Sequence, residues 1–491
     1  MTRKKAASLS VSFVLTLAFA LVFYAFTTPL GPSIGSDNAI YMTMGTALAD
    51  GYAPYTEIFD HKGPLVFVLQ AIPQILSGGY STLALFAQQA VFLFVCLRLL
   101  DALARELHAP GMAVQLVYLA LICANVGGGN LTEEYANAFT LVGILMILRT
   151  FRHGLPENGK GILVRAGILG AMNMLCFLTR ANNVLVLCAM TLVIACWMLF
   201  EKRMDLLVRC IGGFASGMAA CALPVAVWLA AQGALGEAVY GSIVHNMMYA
   251  ATGGASRLEM LFSPDYGWRA ILMAALALAG AAIFAKKNPA LALSMAAGAA
   301  AAGFAAFVSH KFYQHYLLLG APLAAAGAAC VLGAAAKAGG KLRSGMMALA
   351  LTASLGCLVV QGIETNRWRL SERDGMDVFM QQAQELYELV PEEDRDSFMA
   401  YRVEPKWYVG AKALPCMRFY FLQEILADAD PAVMDEIVET FNTDPPRWLV
   451  IYYNREFGPP YDARIQEIFD TRYEFVDARG TYQLKKLKEA P

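Results

Sequence analysis

Residues 36–64, SDNAIYMTMGTALADGYAPYTEIFDHKGP, decide how the chain is read. An apolar run long enough to cross a bilayer precedes this stretch and a second long apolar tract follows it. Between them stand Asp37, Asp50, Glu57, Asp60, His61 and Lys62. Polar residues in that position read as the acidic lip of a membrane-embedded active site.

The whole composition agrees. The chain has 491 residues, 58% apolar and only 16% charged, with a mean hydropathy of +0.48. That is too apolar for a globular protein of this size and reads as polytopic. A net charge of -1 offers no basic surface for nucleic acid. Cys96, Cys123, Cys176, Cys188, Cys196, Cys210, Cys221, Cys330 and Cys357 fall in apolar runs, and only Cys416 sits in a polar region. Without CxxC spacing they suggest neither a zinc site nor a disulfide framework. The start, MTRKK and then an apolar run over 9–30, has a basic flank but no clear cleavage site, so it reads as a retained first span.

A spanning helix needs about 20 apolar residues. Candidates lie near 9–29, 80–100, 110–127, 136–149, 162–179, 183–200, 210–231, 268–285, 289–308, 315–336 and 344–362. Lys and Arg collect in cytoplasmic connections. Arg3, Lys4, Lys5, Arg98, Arg105, Arg149, Arg152, Lys160, Arg165, Lys202, Arg203, Arg209, Lys286, Lys287, Lys337, Lys341 and Arg343 fall on one side, and mainly acids on the other. The expectation is an all-α membrane protein of about 11 transmembrane helices in the plasma membrane, N-terminus cytoplasmic. Residues 64–76, PLVFVLQAIPQIL, are short and carry Gln70, Pro73 and Gln74, so they read as an interfacial helix. The first outer loop then covers about 30–79. The Ala- and Gly-rich tract 290–340 reads as close helix packing.

Beyond residue 363 charges, Pro and Tyr become frequent. Residues 363–491 predict a small extracytoplasmic α/β domain, with strands in 398–403 and 447–453 and helices in 418–428 and 432–441. Residues 1–362 form the membrane domain.

Cations on the outer side break the charge rule, which makes Lys62, Arg180 and Lys311 informative. Each needs a partner or a wet cavity at that depth, and a lipid phosphate supplies one. Acids lie on the same side: Asp37 in GSDNAIY, with Tyr41 one turn on, and Glu133 and Glu134 in GGGNLTEEYANAF. A carboxylate that accepts a proton from a hydroxyl, opposite cations that stabilise a departing phosphate, is the equipment of sugar transfer. Plainer readings stand beside these. Asp37 also fits a helix cap, Lys62 a snorkelling side chain, and Arg180 the partner of a buried acid. His245, His310 and His315 individually fit an interfacial His–Tyr band.

DNAIY, GYAPYTEIFDHKGPL, LTEEYANAF and QHYLLLGAP together resemble the GT-C glycosyltransferases, specifically the bacterial relatives of protein O-mannosyltransferases and of the lipid A aminoarabinose transferase. The resemblance covers roughly 9–362, and DHKGPL looks like that family's Lys-Pro signature before a membrane-skimming helix. It implies transfer, with inversion, from a polyprenyl-phosphate-linked sugar to an extracytoplasmic glycan, lipid or protein acceptor, without a nucleotide-sugar donor. By resemblance Asp37 is the catalytic carboxylate, Glu133 or Glu134 the second acid, Lys62 a phosphate ligand, Tyr316 a tyrosine near the donor phosphate and His245 a polar neighbour of the site. Asp60 and His61 join by adjacency to Lys62, and Arg180 and Lys311 by position. Tyr41, Tyr55, His310 and His315 complete the candidates. Many relatives carry a second acid directly after the first, whereas Asn38 follows Asp37 here. The expectation is therefore no catalytic metal and no cofactor. A lipid-linked oligosaccharide polymerase or ligase is the rival enzyme. A transporter or flippase is the rival outside enzymes, and it calls for charges within spans and paired broken helices.

Overall fold

The computed structural model describes residues 3–156, 161–452 and 461–489. Lys160 and Tyr453, used above, lie outside the described residues. Each of the proposed spans is helical. Nine helices among the described residues are long and apolar enough to cross a membrane, from Ala6–Phe23 to Gly340–Glu388. Gly111–Cys123 has only 13 residues and belongs to the shorter apolar helices. Thr132–Phe151 has 20 residues and carries Glu133, Glu134 and Arg149. The chain is a multi-pass membrane protein.

By its internal packing the chain divides into two units. The membrane unit comprises Met1–Leu30, Phe86–Val227 and Gly253–Trp368. Its core is aliphatic and aromatic, with Leu97, Leu141, Leu187, Leu291 and Leu318 fully buried. Small residues permit close helix crossings within it. A Cβ at Gly327 would stand 2.1 Å from the Leu276 carbonyl oxygen, so the Ala- and Gly-rich helix Ala321–Ala338 meets Gly267–Phe284 backbone to backbone.

The second unit comprises Gly31–Leu85, Trp228–Thr252 and Arg369–Pro491. Helix Ser36–Ala49 packs on Pro64–Ser77, where a Cβ at Gly45 would stand 2.3 Å from the Gln70 carbonyl oxygen. Pro64 opens Pro64–Ser77 at a position where its missing N–H costs nothing, and Gly78 closes it in the left-handed conformation. One face of that helix buries Val66, Phe67 and Gln70, while Ile72, Ile75 and Leu76 stay exposed, the division an interfacial helix needs.

The tail contributes a four-stranded sheet: β1 (Phe398–Tyr401), β2 (Trp448–Tyr452), β3 (Tyr473–Arg479) and β4 (Tyr482–Leu487), in the order β1-β2-β4-β3. β1 runs parallel to β2, and β4 runs antiparallel to both β2 and β3. β1 and the first four residues of β2 are wholly buried, which is why both were legible as strands. Helices Gln423–Ala429 and Ala432–Thr443 complete the α/β domain.

Candidate functional site

The sequence-predicted residues form two clusters, one in each unit. Asp37, Tyr41, Tyr55, Asp60, His61, Lys62 and His245 belong to the second unit. Glu133, Glu134, Arg180, His310, Lys311, His315 and Tyr316 belong to the membrane unit.

In the second unit, Gly35 occupies the cap position of Ser36–Ala49, and no side-chain cap bond forms there. Asp37 stands in the first turn of this helix and is exposed. The cap reading of Asp37 is therefore excluded. Tyr41, one turn further, is buried with its ring 5.7 Å from Lys62 Nζ. The loop that carries Lys62 is fixed by its own side chains. Tyr55 is fully buried at φ 66°, a left-handed conformation uncommon outside glycine, and its hydroxyl donates to the Lys62 carbonyl at 2.7 Å. The Lys62 N–H donates to Asp60 Oδ1 at 2.8 Å, and Lys62 Nζ lies 3.6 Å from the same oxygen. His61 Nε2 is 2.8 Å from Lys62 Nζ, and its Nδ1 is 3.7 Å from Asp60 Oδ1. A buried carboxylate, an imidazole and an ammonium thus share one hydrogen-bonded patch, with 12% of the Lys62 side chain exposed.

His245 lies in a π-helical turn, Tyr240–His245, with its ring 6.3 Å from that of His61 and edge-on to Phe59 at 5.5 Å. Burial lowers its pKa below the usual histidine range, although the Leu426 carbonyl and the charges of Asp430 and Asp60 oppose the shift. Asp50 and Glu57 do not join the patch. Glu57 accepts the Ala53 N–H at 2.6 Å and closes the turn before Tyr55.

The tail holds this loop in a way the sequence reading missed. Arg418 accepts the Phe59 N–H on its carbonyl at 3.0 Å, and its guanidinium lies over both the Phe59 ring, at 5.2 Å, and the Phe419 ring, at 4.8 Å. The same guanidinium pairs with Glu237 and Glu436. Tyr420 donates to the Ile40 carbonyl of the Asp37 helix at 3.0 Å. Tyr249 packs on His61 with rings 4.9 Å apart. The available signal was the run RFYF at 418–421, an aromatic cluster too dense for an exposed loop.

In the membrane unit, Glu133 is 1% exposed and takes Arg180 Nη1 at 3.2 Å. Arg180 Nη2 donates to the Tyr316 hydroxyl at 2.6 Å, and the guanidinium lies 4.5 Å from the Tyr316 ring. Arg180 does pair with a buried acid. Glu134 turns back to accept the Leu131 N–H at 3.0 Å at the start of its own helix, so the two adjacent acids have different surroundings. His315 is stacked on Tyr313 and edge-on to Tyr316 at 4.7 Å. Burial, and after it the charge of Arg180, lowers the Lys311 pKa. One acid, Glu133, and two cations, Arg180 and Lys311, thus stand among aromatic rings, with Arg180 over Tyr316 and Lys311 Nζ 6.0 Å from the Tyr313 ring. His310 faces the Ala255 carbonyl at 2.7 Å through Nδ1 and serves the loop backbone. Among the described residues no group of three His, Cys, Asp or Glu is placed to hold a metal ion.

No family model and no curated protein sequence matches the chain. Solved structures do. ArnT from Cupriavidus metallidurans bound to undecaprenyl phosphate superposes with a TM-score of 0.62 at 14% identity, over 96% of this chain and 97% of that one. ArnT in the apo state gives 0.59 over the same shares, also at 14% identity. The oligosaccharyltransferase AglB from Archaeoglobus fulgidus, in complex with an inhibitory peptide and a dolichol-phosphate, gives 0.53 at 13% identity, over 92% of this chain and 70% of that one. The expected architecture is therefore met, and the chain has the GT-C fold of these membrane glycosyltransferases.

Proposed function

We propose that the protein is an integral-membrane glycosyltransferase that moves a sugar from a polyprenyl-phosphate carrier to an extracytoplasmic acceptor. The observation that carries this reading is the second-unit cluster: an exposed Asp37 on the helix whose Tyr41 contacts Lys62, with Lys62 held by Asp60 and His61. The polyprenyl and dolichol phosphates in the ArnT and AglB structures support a lipid-phosphate donor.

In the proposed reaction the Asp37 carboxylate accepts the proton of an acceptor hydroxyl as that oxygen attacks the anomeric carbon. The bond from that carbon to the phosphate oxygen breaks on the opposite side, which inverts the centre and releases polyprenyl phosphate. Lys62 meets the charge that grows on the leaving phosphate. Asp60 and His61 position Lys62. Arg180, Lys311 and Tyr316 are assigned to the anionic end of a lipid-linked substrate, and Glu133 to holding Arg180. On this reading residues 1–362 are the membrane domain, with the N-terminus cytoplasmic, and residues 363–491 stand outside.

Mass spectrometry of cell-envelope glycans and polyprenyl-linked sugars, with and without the protein, tests the proposal. Accumulated lipid-linked sugar together with a missing glycan is the expected result. Movement of an unmodified lipid-linked sugar across the membrane, with no transfer product, would replace it with a flippase.

A further inference from the structure

Two thiols outside both clusters face each other in the membrane unit. Cys123, the last residue of helix Gly111–Cys123, places Sγ 3.7 Å from Cys357 Sγ of helix Gly340–Glu388. Both thiols reach the Ala120 carbonyl, at 3.2 Å and 3.6 Å. The residues are 234 positions apart, so no CxxC spacing announces the pair. A disulfide bond is about 2.05 Å long, so the sulfurs need to close by about 1.7 Å.

The two sulfurs differ in access. Cys123 is buried at 5% exposure, whereas Cys357 lines a cavity of 460 Å³ together with Asn125, Arg269 and Ser354. Arg269 lines the same cavity and donates to the Ala124 carbonyl at 3.0 Å, which puts a positive charge beside the residue that follows Cys123. Its Nε is buried with no hydrogen-bond partner among the described residues. A cation on the wall of the cavity that reaches one thiol favours the anionic sulfur that attacks a disulfide.

We propose that Cys123 and Cys357 form a dithiol–disulfide couple in which Cys357 attacks and Cys123 resolves. The oxidant is a small disulfide, RSSR, entering the cavity. Cys357 sulfur bonds to one RSSR sulfur and the S–S bond breaks, releasing the first thiol, RSH, with the Cys357 proton. Cys123 sulfur then bonds to Cys357 sulfur and displaces the second RSH, with the Cys123 proton. Two electrons pass from the pair to the oxidant, and one intramolecular disulfide ties helix Gly111–Cys123 to the 49-residue helix Gly340–Glu388. With residues 363–491 outside, as the proposed function has them, Cys357 lies six residues before the outer segment, on the side of the compartment where disulfides persist. The exchange chemistry itself does not depend on that orientation.

The test uses the full chain purified in detergent, exposed to oxidised glutathione, quenched with N-ethylmaleimide and mapped by peptide mass spectrometry. Wild type should lose both Cys123 and Cys357 as labelled thiols, without a lasting glutathione adduct, and recover both on reduction. Cys123→Ala should trap glutathione on Cys357, and Cys357→Ala should leave Cys123 labelled as free thiol. Retention of both thiols in wild type, or a Cys123→Ala protein with no adduct at Cys357, overturns the couple. A glutathione adduct that persists on Cys357 in wild type overturns the resolving role. None of these readouts measures sugar transfer, so failure here and failure of the proposed activity are separate results.

Discussion

Arg180→Met removes the cation that holds Glu133, and its cost can be worked from the geometry. Both side chains are at least 95% buried, 3.2 Å apart, and the Arg180 guanidinium also satisfies the Tyr316 hydroxyl. Truncating one member of such a pair leaves a buried carboxylate without its counter-ion, a loss of about 3–5 kcal/mol. Replacing both members removes the charge together with its partner, and such exchanges are often close to neutral. Arg180→Met with Glu133→Gln should therefore recover at least about 2 kcal/mol of the single-mutant loss, a coupling of the size double-mutant cycles report for direct partners. Arg180→Lys should fall between, because one ammonium cannot serve Glu133 and Tyr316 as the two guanidinium nitrogens do. Thermal unfolding of the purified variants in detergent, followed by tryptophan fluorescence, measures the series. Equal melting of wild type and Arg180→Met, or a double variant no better than the single, would refute the ion-pair reasoning.

Other outcomes follow from the same geometry. Lys62→Gln keeps a hydrogen-bonding side chain but loses the charge, and a charge-assisted hydrogen bond contributes about 1.5–3 kcal/mol. The kcat/KM for the donor should fall by about ten- to a hundredfold, and an unchanged kcat/KM would remove Lys62 from the phosphate. Gly327→Leu places a side chain where a Cβ already stands 2.1 Å from the Leu276 carbonyl oxygen, so it should destabilise the membrane unit by at least about 2 kcal/mol, read as a lower melting temperature. His245 is held neutral by burial, so the unfolded chain takes up a proton that the folded one refuses. Stability should hold above the usual histidine pKa of 6.5 and decline as pH falls from there towards the lowered folded pKa. His245→Gln should flatten that component of the melting-temperature profile, and an unaltered slope would count against it.

Much of this architecture is visible in the sequence because lipid imposes simple rules. Long apolar runs must be helices, since no water is present to satisfy exposed backbone. The short run 64–76 declared itself by Gln70, Pro73 and Gln74. β1 and β2 were legible as apolar runs, whereas β3 and β4, half-exposed over YEFVDAR and YQLKKL, lack a continuous apolar signal. The contacts among Asp60, His61 and Lys62 were readable because they are local, one or two residues apart. The Arg180 contacts were not readable in the same way, since Glu133 and Tyr316 lie 47 and 136 residues away and no local pattern encodes that pairing. Arg418 was hidden for the same reason, 181 residues from Glu237. Glu133 and Glu134 looked equivalent as neighbours, and only the helix start at Thr132 separates the ion-paired acid from the one that serves its own backbone.

The central claim is that Asp37 takes the proton of the attacking hydroxyl. The direct measurement is single-turnover transfer of labelled sugar from polyprenyl phosphate by the purified protein in lipid, comparing wild type with Asp37→Asn at matched insertion and melting temperature. The asparagine is nearly the same shape and cannot accept the proton, so transfer should fall by about 10²–10⁴-fold while donor binding is retained. Transfer by Asp37→Asn at the wild-type rate would contradict the assignment.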